Sequence, residues 1–117
     1  MRTDMKINLD NKRFKVLNNS ENGNVGAETI FIYRQSGDII FAEYYGGDIL
    51  KGQLLGKFVN EEYLEFAYQH LNTEKEIMTG KCKSFPEIDN DGKIILNEIW
   101  QWTCKDNSCG KSTLKEI

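Results

Sequence analysis

Apolar and polar residues alternate along most of this chain with a period of two, the spacing that sends successive side chains to opposite faces of an extended strand. Thr29-Ile-Phe-Ile-Tyr33 and Ile39-Ile-Phe-Ala-Glu-Tyr-Tyr45 are rich in β-branched and aromatic residues. The short turn at Ser36-Gly37-Asp38 between them predicts a tight hairpin. From Ile49 to Val59, Leu50, Gly52, Leu54, Gly56 and Phe58 alternate with Lys51, Gln53, Leu55 and Lys57. This predicts a strand with its glycine face inward, curved where the two glycines let the sheet bend and close. Turn signals at Asn22-Gly23-Asn24, Ser36-Gly37-Asp38, Gly46-Gly47-Asp48, Asn60-Glu61, Asn72-Thr73-Glu74, Asp89-Asn90-Asp91-Gly92 and Asp106-Asn107-Ser108 recur every 10 to 17 residues or so, room for one strand between each pair. Strands are predicted over 12–18, 27–35, 38–46, 49–59, 63–71, 76–85, 93–104 and 111–117. No stretch supplies the helix that a parallel βαβ unit needs. The fold class is therefore all-β: an antiparallel up-and-down meander of about eight strands that hides its edges by closing into a barrel.

Two segments fit more than one period. Residues 60–71 begin at a cap-type Asn60 and place Leu64, Ala67, Tyr68 and Leu71 on one helical face. Read as a strand, the same residues put Leu64, Phe66, Tyr68 and His70 on one side. Leu96 to Thr103 is also ambiguous, although Trp100, Trp102 and Thr103 favour a strand. There Glu98, Trp100 and Trp102 share one side, and the tryptophans mark it as the buried one.

Composition narrows the function classes. The 117 residues form one domain, 1–117, with enough apolar and aromatic content to fold alone. Fifteen basic and 18 acidic side chains, net −3, are spread without a basic cluster, which argues against a nucleic-acid partner. Met1 to Asp10 is too polar for an export signal, and no apolar run is long enough to span a membrane. The expected location is the cytoplasm. Three cysteines, Cys82, Cys104 and Cys109, are an odd number and read as reduced thiols. Cys104 and Cys109 are spaced to face each other across a hairpin and cross-link under oxidation. With His70 the three also make a Cys3His zinc set on paper, but no C-x-x-C pair supports it, and no metal is assigned.

Candidate chemistry is sparse. Glu87-x-Asp89-x-Asp91-Gly92-x5-Glu98 resembles a calcium loop, yet Pro86 and Gly80 deny it an entering helix, so it reads as a solvated hairpin turn. His70, the only histidine, lies on the apolar side of its strand. Glu98 on a buried face needs a partner or must become neutral, and His70 is the candidate partner. Glu43, beside Tyr44 and Tyr45, raises the same question on a strand either of whose faces suits an interior. No Ser-His-Asp set can be placed, and Cys82 with His70 lacks any local signature of a nucleophile and its base.

Glu43-Tyr-Tyr-Gly-Gly47, Gly52 and Gly56, Tyr68-Gln-His70, Met78-Thr-Gly-Lys-Cys82, Pro86-Glu87 and Glu98-Ile-Trp-Gln-Trp102 together resemble a group of small bacterial proteins catalogued as N-acetylglutamate synthases. The resemblance implies a small antiparallel barrel of lipocalin-like appearance and tips residues 63–71 toward strand. It also carries an acetyltransferase label. The Gly-rich turn that opens a helix onto an acetyl-coenzyme A pyrophosphate is missing, because Gly46-Gly47 has no basic residue upstream and no helix downstream. The leading expectation is a barrel binding a small molecule, lined by Tyr68, His70, Glu98, Trp100, Trp102 and Glu43, with no cofactor. The alternatives are an enzyme using Glu98 and His70 as acid and base, and a cavity-free interaction module.

Overall fold

The computed structural model describes residues 7–117; most of the Met1 to Asp10 segment read against export lies outside them. Among the described residues there are strands and turns and no helix. The strands are β1 (Lys12–Asn19), β2 (Ile30–Ser36), β3 (Ile39–Gly46), β4 (Ile49–Val59), β5 (Tyr63–Asn72), β6 (Ile77–Ile88), β7 (Ile94–Trp102) and β8 (Cys109–Glu116). Each pairs antiparallel with the next, and β8 returns to β1, so the sheet closes into a barrel without a free edge.

Residues 63–72 are extended. Leu64, Phe66 and His70 are buried while Glu65, Ala67 and Gln69 face out. Pairing explains the choice: β5 bonds along its length to β4 on one side and β6 on the other, which a helix would leave open. On β4 the register shifts between Ile49 and Lys51, so Ile49 turns in at 2% exposure and Leu50 turns out at 45%, against the simple alternation expected of that strand. The calcium-like segment is the turn between β6 and β7, where Asp89 accepts the backbone N–H groups of Asp91 and Lys93. Cys109 pairs with Gln101, whereas Cys104 lies in the preceding turn with its Sγ toward the Thr79 N–H at 3.5 Å. The two do not face each other as the spacing suggested, and all three cysteines are free.

Large rings fit in this narrow barrel because glycines sit opposite them. Tyr44 pairs directly with Gly52, Phe66 with Gly56, Tyr68 with Gly80 and Trp100 with Gly110. At Gly52, Gly80 and Gly110 the ring occupies the space that a glycine Cβ would need, and at Gly56 the Glu65 carbonyl and the Phe66 Cα and Cβ occupy it. The glycines of β4, β6 and β8 therefore seat the aromatics of β3, β5 and β7. One half of the interior is an apolar plug in which Leu9, Phe14, Tyr33, Ile40, Leu64, Leu96 and Leu114 are fully buried. The other half, toward the β1–β2 loop, is more polar.

Candidate functional site

The polar half is built from inward positions of the strands and from the loop over residues 20–29. A cavity of about 40 Å³ lies there, with Glu98 and Ser112 among its walls, aromatic rings around it, and Asn24 and Val25 of the loop against it. The rings form a continuous belt. Phe31 stacks on Tyr44 at 4.6 Å between centroids, Tyr44 meets His70 edge-on at 5.6 Å, and His70 meets Trp102 at 5.8 Å. Tyr68 contacts Trp102 at 5.9 Å, and Trp102 contacts Trp100 at 5.3 Å.

The loop is fastened to this belt by hydrogen bonds. Trp100 Nε1 donates to Asn19 Oδ1 and Trp102 Nε1 to the Asn22 carbonyl, each at 3.0 Å. Asn19 Nδ2 donates in turn to the Val25 carbonyl at 3.0 Å. His70 Nε2 lies 2.9 Å from Asn24 Oδ1, an acceptor, so Nε2 carries the proton. The Tyr44 hydroxyl then donates to Nδ1 at 2.9 Å. Burial holds the imidazole neutral by lowering its pKa from 6.5 to about 4. Burial likewise pushes the Tyr44 and Tyr68 hydroxyls well above their ordinary value, so both stay protonated.

Glu98 is 7% exposed. Its Oε1 accepts the Ser112 hydroxyl at 3.2 Å, while Oε2 has no hydrogen-bond partner. Ser84 Oγ and the Tyr33 hydroxyl are also buried without partners. Burial raises the Glu98 carboxyl from 4.5 to about 7, against the lowering influence of the Ser84 and Ser112 hydroxyls. Ser84 stands directly opposite Glu98 across β6 and β7, and its hydroxyl acts on the carboxyl as a hydrogen-bonding neighbour although no bond of good geometry joins the two. Cys82, on the same inner face, is buried beside Glu98 and has its thiol held well above its ordinary pKa by desolvation, which suits packing and not nucleophilic attack.

Tyr68, His70, Glu98, Trp100 and Trp102 thus converge on one cavity. Glu43 does not join them; it is exposed on the outer face of β3, where the alternation turns Ala42 and Tyr44 inward. The expected Glu98–His70 pair is not formed either. The carboxyl bonds Ser112, and the imidazole bonds Tyr44 and Asn24. Asn19, Asn24, Tyr44 and Ser112 were not legible as site residues. Asn22-Gly23-Asn24 reads only as a turn, and Ser112 acquires meaning from its register opposite Glu98. Among the described residues no three His, Cys, Asp or Glu side chains converge as a metal set. Nor is any helix there long and apolar enough to cross a membrane.

A family model described as avidin-like protein matches residues 7–117. No curated protein and no solved structure matches the chain.

Proposed function

This chain belongs to the avidin-like family, and on that premise we propose that it binds a small molecule inside its barrel, in the cavity lined by Tyr68, His70, Glu98, Trp100 and Trp102. The family is one of small barrels that bind small molecules, biotin among them. The single observation that carries the reading is the buried Glu98 carboxyl on the wall of that cavity, whose Oε2 is in no hydrogen bond of good geometry. A barrel packed only for stability gains nothing from an orphaned carboxyl oxygen, since leaving such a group unsatisfied costs about 1–3 kcal/mol or more. The contacts from the end of β1 and from the loop support the same reading. Asn19, Asn22 and Asn24 occupy the two indole N–H groups and the imidazole N–H, the donors a polar ligand would take over.

The free volume bounds the ligand. At about 40 Å³ the cavity is far below the roughly 300–1,000 Å³ of sites for drug-sized molecules, so a bicyclic ligand with a side chain enters only if the 20–29 loop withdraws. The same small volume favours a second reading, a filled barrel serving as an interaction module. Native mass spectrometry of freshly purified protein, with a thermal-shift screen of small polar metabolites and biotin, separates the two. A copurified or stabilising compound, lost in Glu98→Gln and weakened in Trp102→Phe, is expected. Complete silence of both experiments would leave the filled barrel.

A further inference from the structure

We propose that the ligand of this barrel is a small organic cation, an amine or methylated ammonium group, seated with its charge against the Glu98 carboxyl and its carbon surface against the surrounding rings. The inference rests on the small-molecule reading and names the chemical class. Its first support is the surroundings of Glu98. The ionisable side chains felt there are Tyr33 from β2, Tyr44 from β3, Tyr68 from β5 and Cys82 from β6. Ser84 and Ser112 add hydroxyls from β6 and β8. Every one of these is neutral, and among the described residues Glu98 has no ion-pair partner. A buried acid with one oxygen outside any hydrogen bond of good geometry, and with no cation beside it among the described residues, lacks the positive charge that would stabilise its ionised form.

The second support is the wall. Phe31, Tyr44, Phe66, Tyr68, Trp100 and Trp102 line the same cavity as Glu98. Aromatic faces carry negative potential, and a cage of them around a desolvated site recognises ammonium groups. A neutral amide or urea would use the carboxyl oxygen and pack on the rings, but it would gain no cation–π attraction from this belt. Size supplies a third constraint. About 40 Å³ is roughly three times what a single buried water needs, the scale of an ammonium head of a few heavy atoms.

Binding of a cation favours ionised Glu98, so in the range where burial keeps that carboxyl protonated the incoming charge releases a proton. With a free-state pKa of about 7, the ionised fraction rises about tenfold between pH 6 and pH 8, and affinity should rise by the same factor. His70 stays neutral throughout that interval.

The test is a titration of the full chain in sodium phosphate with trimethylammonium chloride, and separately with tert-butanol, a neutral molecule of similar shape, read by calorimetry and tryptophan emission. The expected results are binding of the ammonium and not of the alcohol, about tenfold tighter at pH 8 than at pH 6. Glu98→Gln should weaken the ammonium at least tenfold; because it removes a buried charge at constant shape, it should still fold. Trp102→Phe, which keeps a ring, should weaken it only several-fold. In carbon-detected NMR the Glu98 carboxyl should titrate near 7 in the free protein and lower when saturated. Equal binding of ammonium and alcohol, a pH-independent affinity, or full affinity in Glu98→Gln would overturn the proposal. If neutral compounds from the metabolite screen bind inside the barrel and no ammonium does, the cation inference fails while the small-molecule reading stands. If nothing binds, both fail.

Discussion

Replacing Glu98 by Gln should change the pH dependence of folding in a way that exposes two opposing buried groups. Burial raises the Glu98 carboxyl from 4.5 to about 7, so the folded state holds a proton that the unfolded chain has lost. That contribution is fully present below 4.5 and disappears as pH rises through 7. His70 has the opposite sign. Its pKa falls from 6.5 to about 4, so its contribution is present above 6.5 and disappears as pH falls through 4. Each pKa unit corresponds to about 1.4 kcal/mol, and the two shifts are equal in size, which gives about 3 kcal/mol for each group. Between pH 4.5 and 6.5 the two slopes should nearly cancel. Asp89 and Asp106, held below their ordinary value by the backbone N–H groups of the turns they occupy, titrate beneath this window. The assay is urea unfolding followed by tryptophan emission, since Trp100 and Trp102 are both buried. Wild-type stability should be nearly flat from pH 4.5 to 6.5 and fall towards pH 8. Glu98→Gln should rise by about 2–3 kcal/mol over the lower interval and lose the decline above it. Wild type and Glu98→Gln with the same profile would refute the buried-acid reasoning.

Three further outcomes follow from the packing. Gly110→Ala should destabilise the protein by about 1–3 kcal/mol in the same urea assay, because its Cβ would enter the Trp100 indole. Gly26→Ala, with open space around the added atom, is the control and should be near neutral. Asn24→Ala leaves the His70 Nε2 proton without its acceptor. It should cost about 1–3 kcal/mol and speed amide exchange in residues 22–28 while the strands keep their protection. Tyr44→Phe removes the donor to His70 Nδ1. An NMR titration of the imidazole should then report a pKa different from the wild-type value near 4.

The fold was legible because a period of two survives in nearly every strand. Leu64, Phe66 and His70 are buried on one face of β5, as the extended reading requires, with half-buried Tyr68 between Phe66 and His70. The helical alternative for that segment was equally periodic, and only pairing with β4 and β6 excludes it. The glycines of β4 were legible as an inward face, but their partners were not. That Gly52 seats the Tyr44 ring and Gly56 lies close against the Glu65–Phe66 backbone depends on cross-strand register. Leu50 shows the limit of alternation, since one register shift reverses its face. Within the site, the shared side of Glu98, Trp100 and Trp102 came from parity alone. Glu43 could not be placed in that way, because Phe41 and Tyr45 on its own side are large, apolar and outward-facing. Asn19 at the end of β1 and Asn22 in the loop carry no periodic signal, and their bonds to the indoles span about 80 residues of sequence, as with Trp102 and Asn22.

The most direct measurement is an NMR record of through-space contacts between a bound ammonium compound and the protein's aromatic protons. Methyl resonances of the ligand should show contacts to the rings of Tyr68, Trp100 and Trp102, which face the cavity, and none to outward-facing Phe41 or Tyr45. Contacts confined to the outer face, with the indole resonances unmoved at saturation, would contradict a binding site inside the barrel.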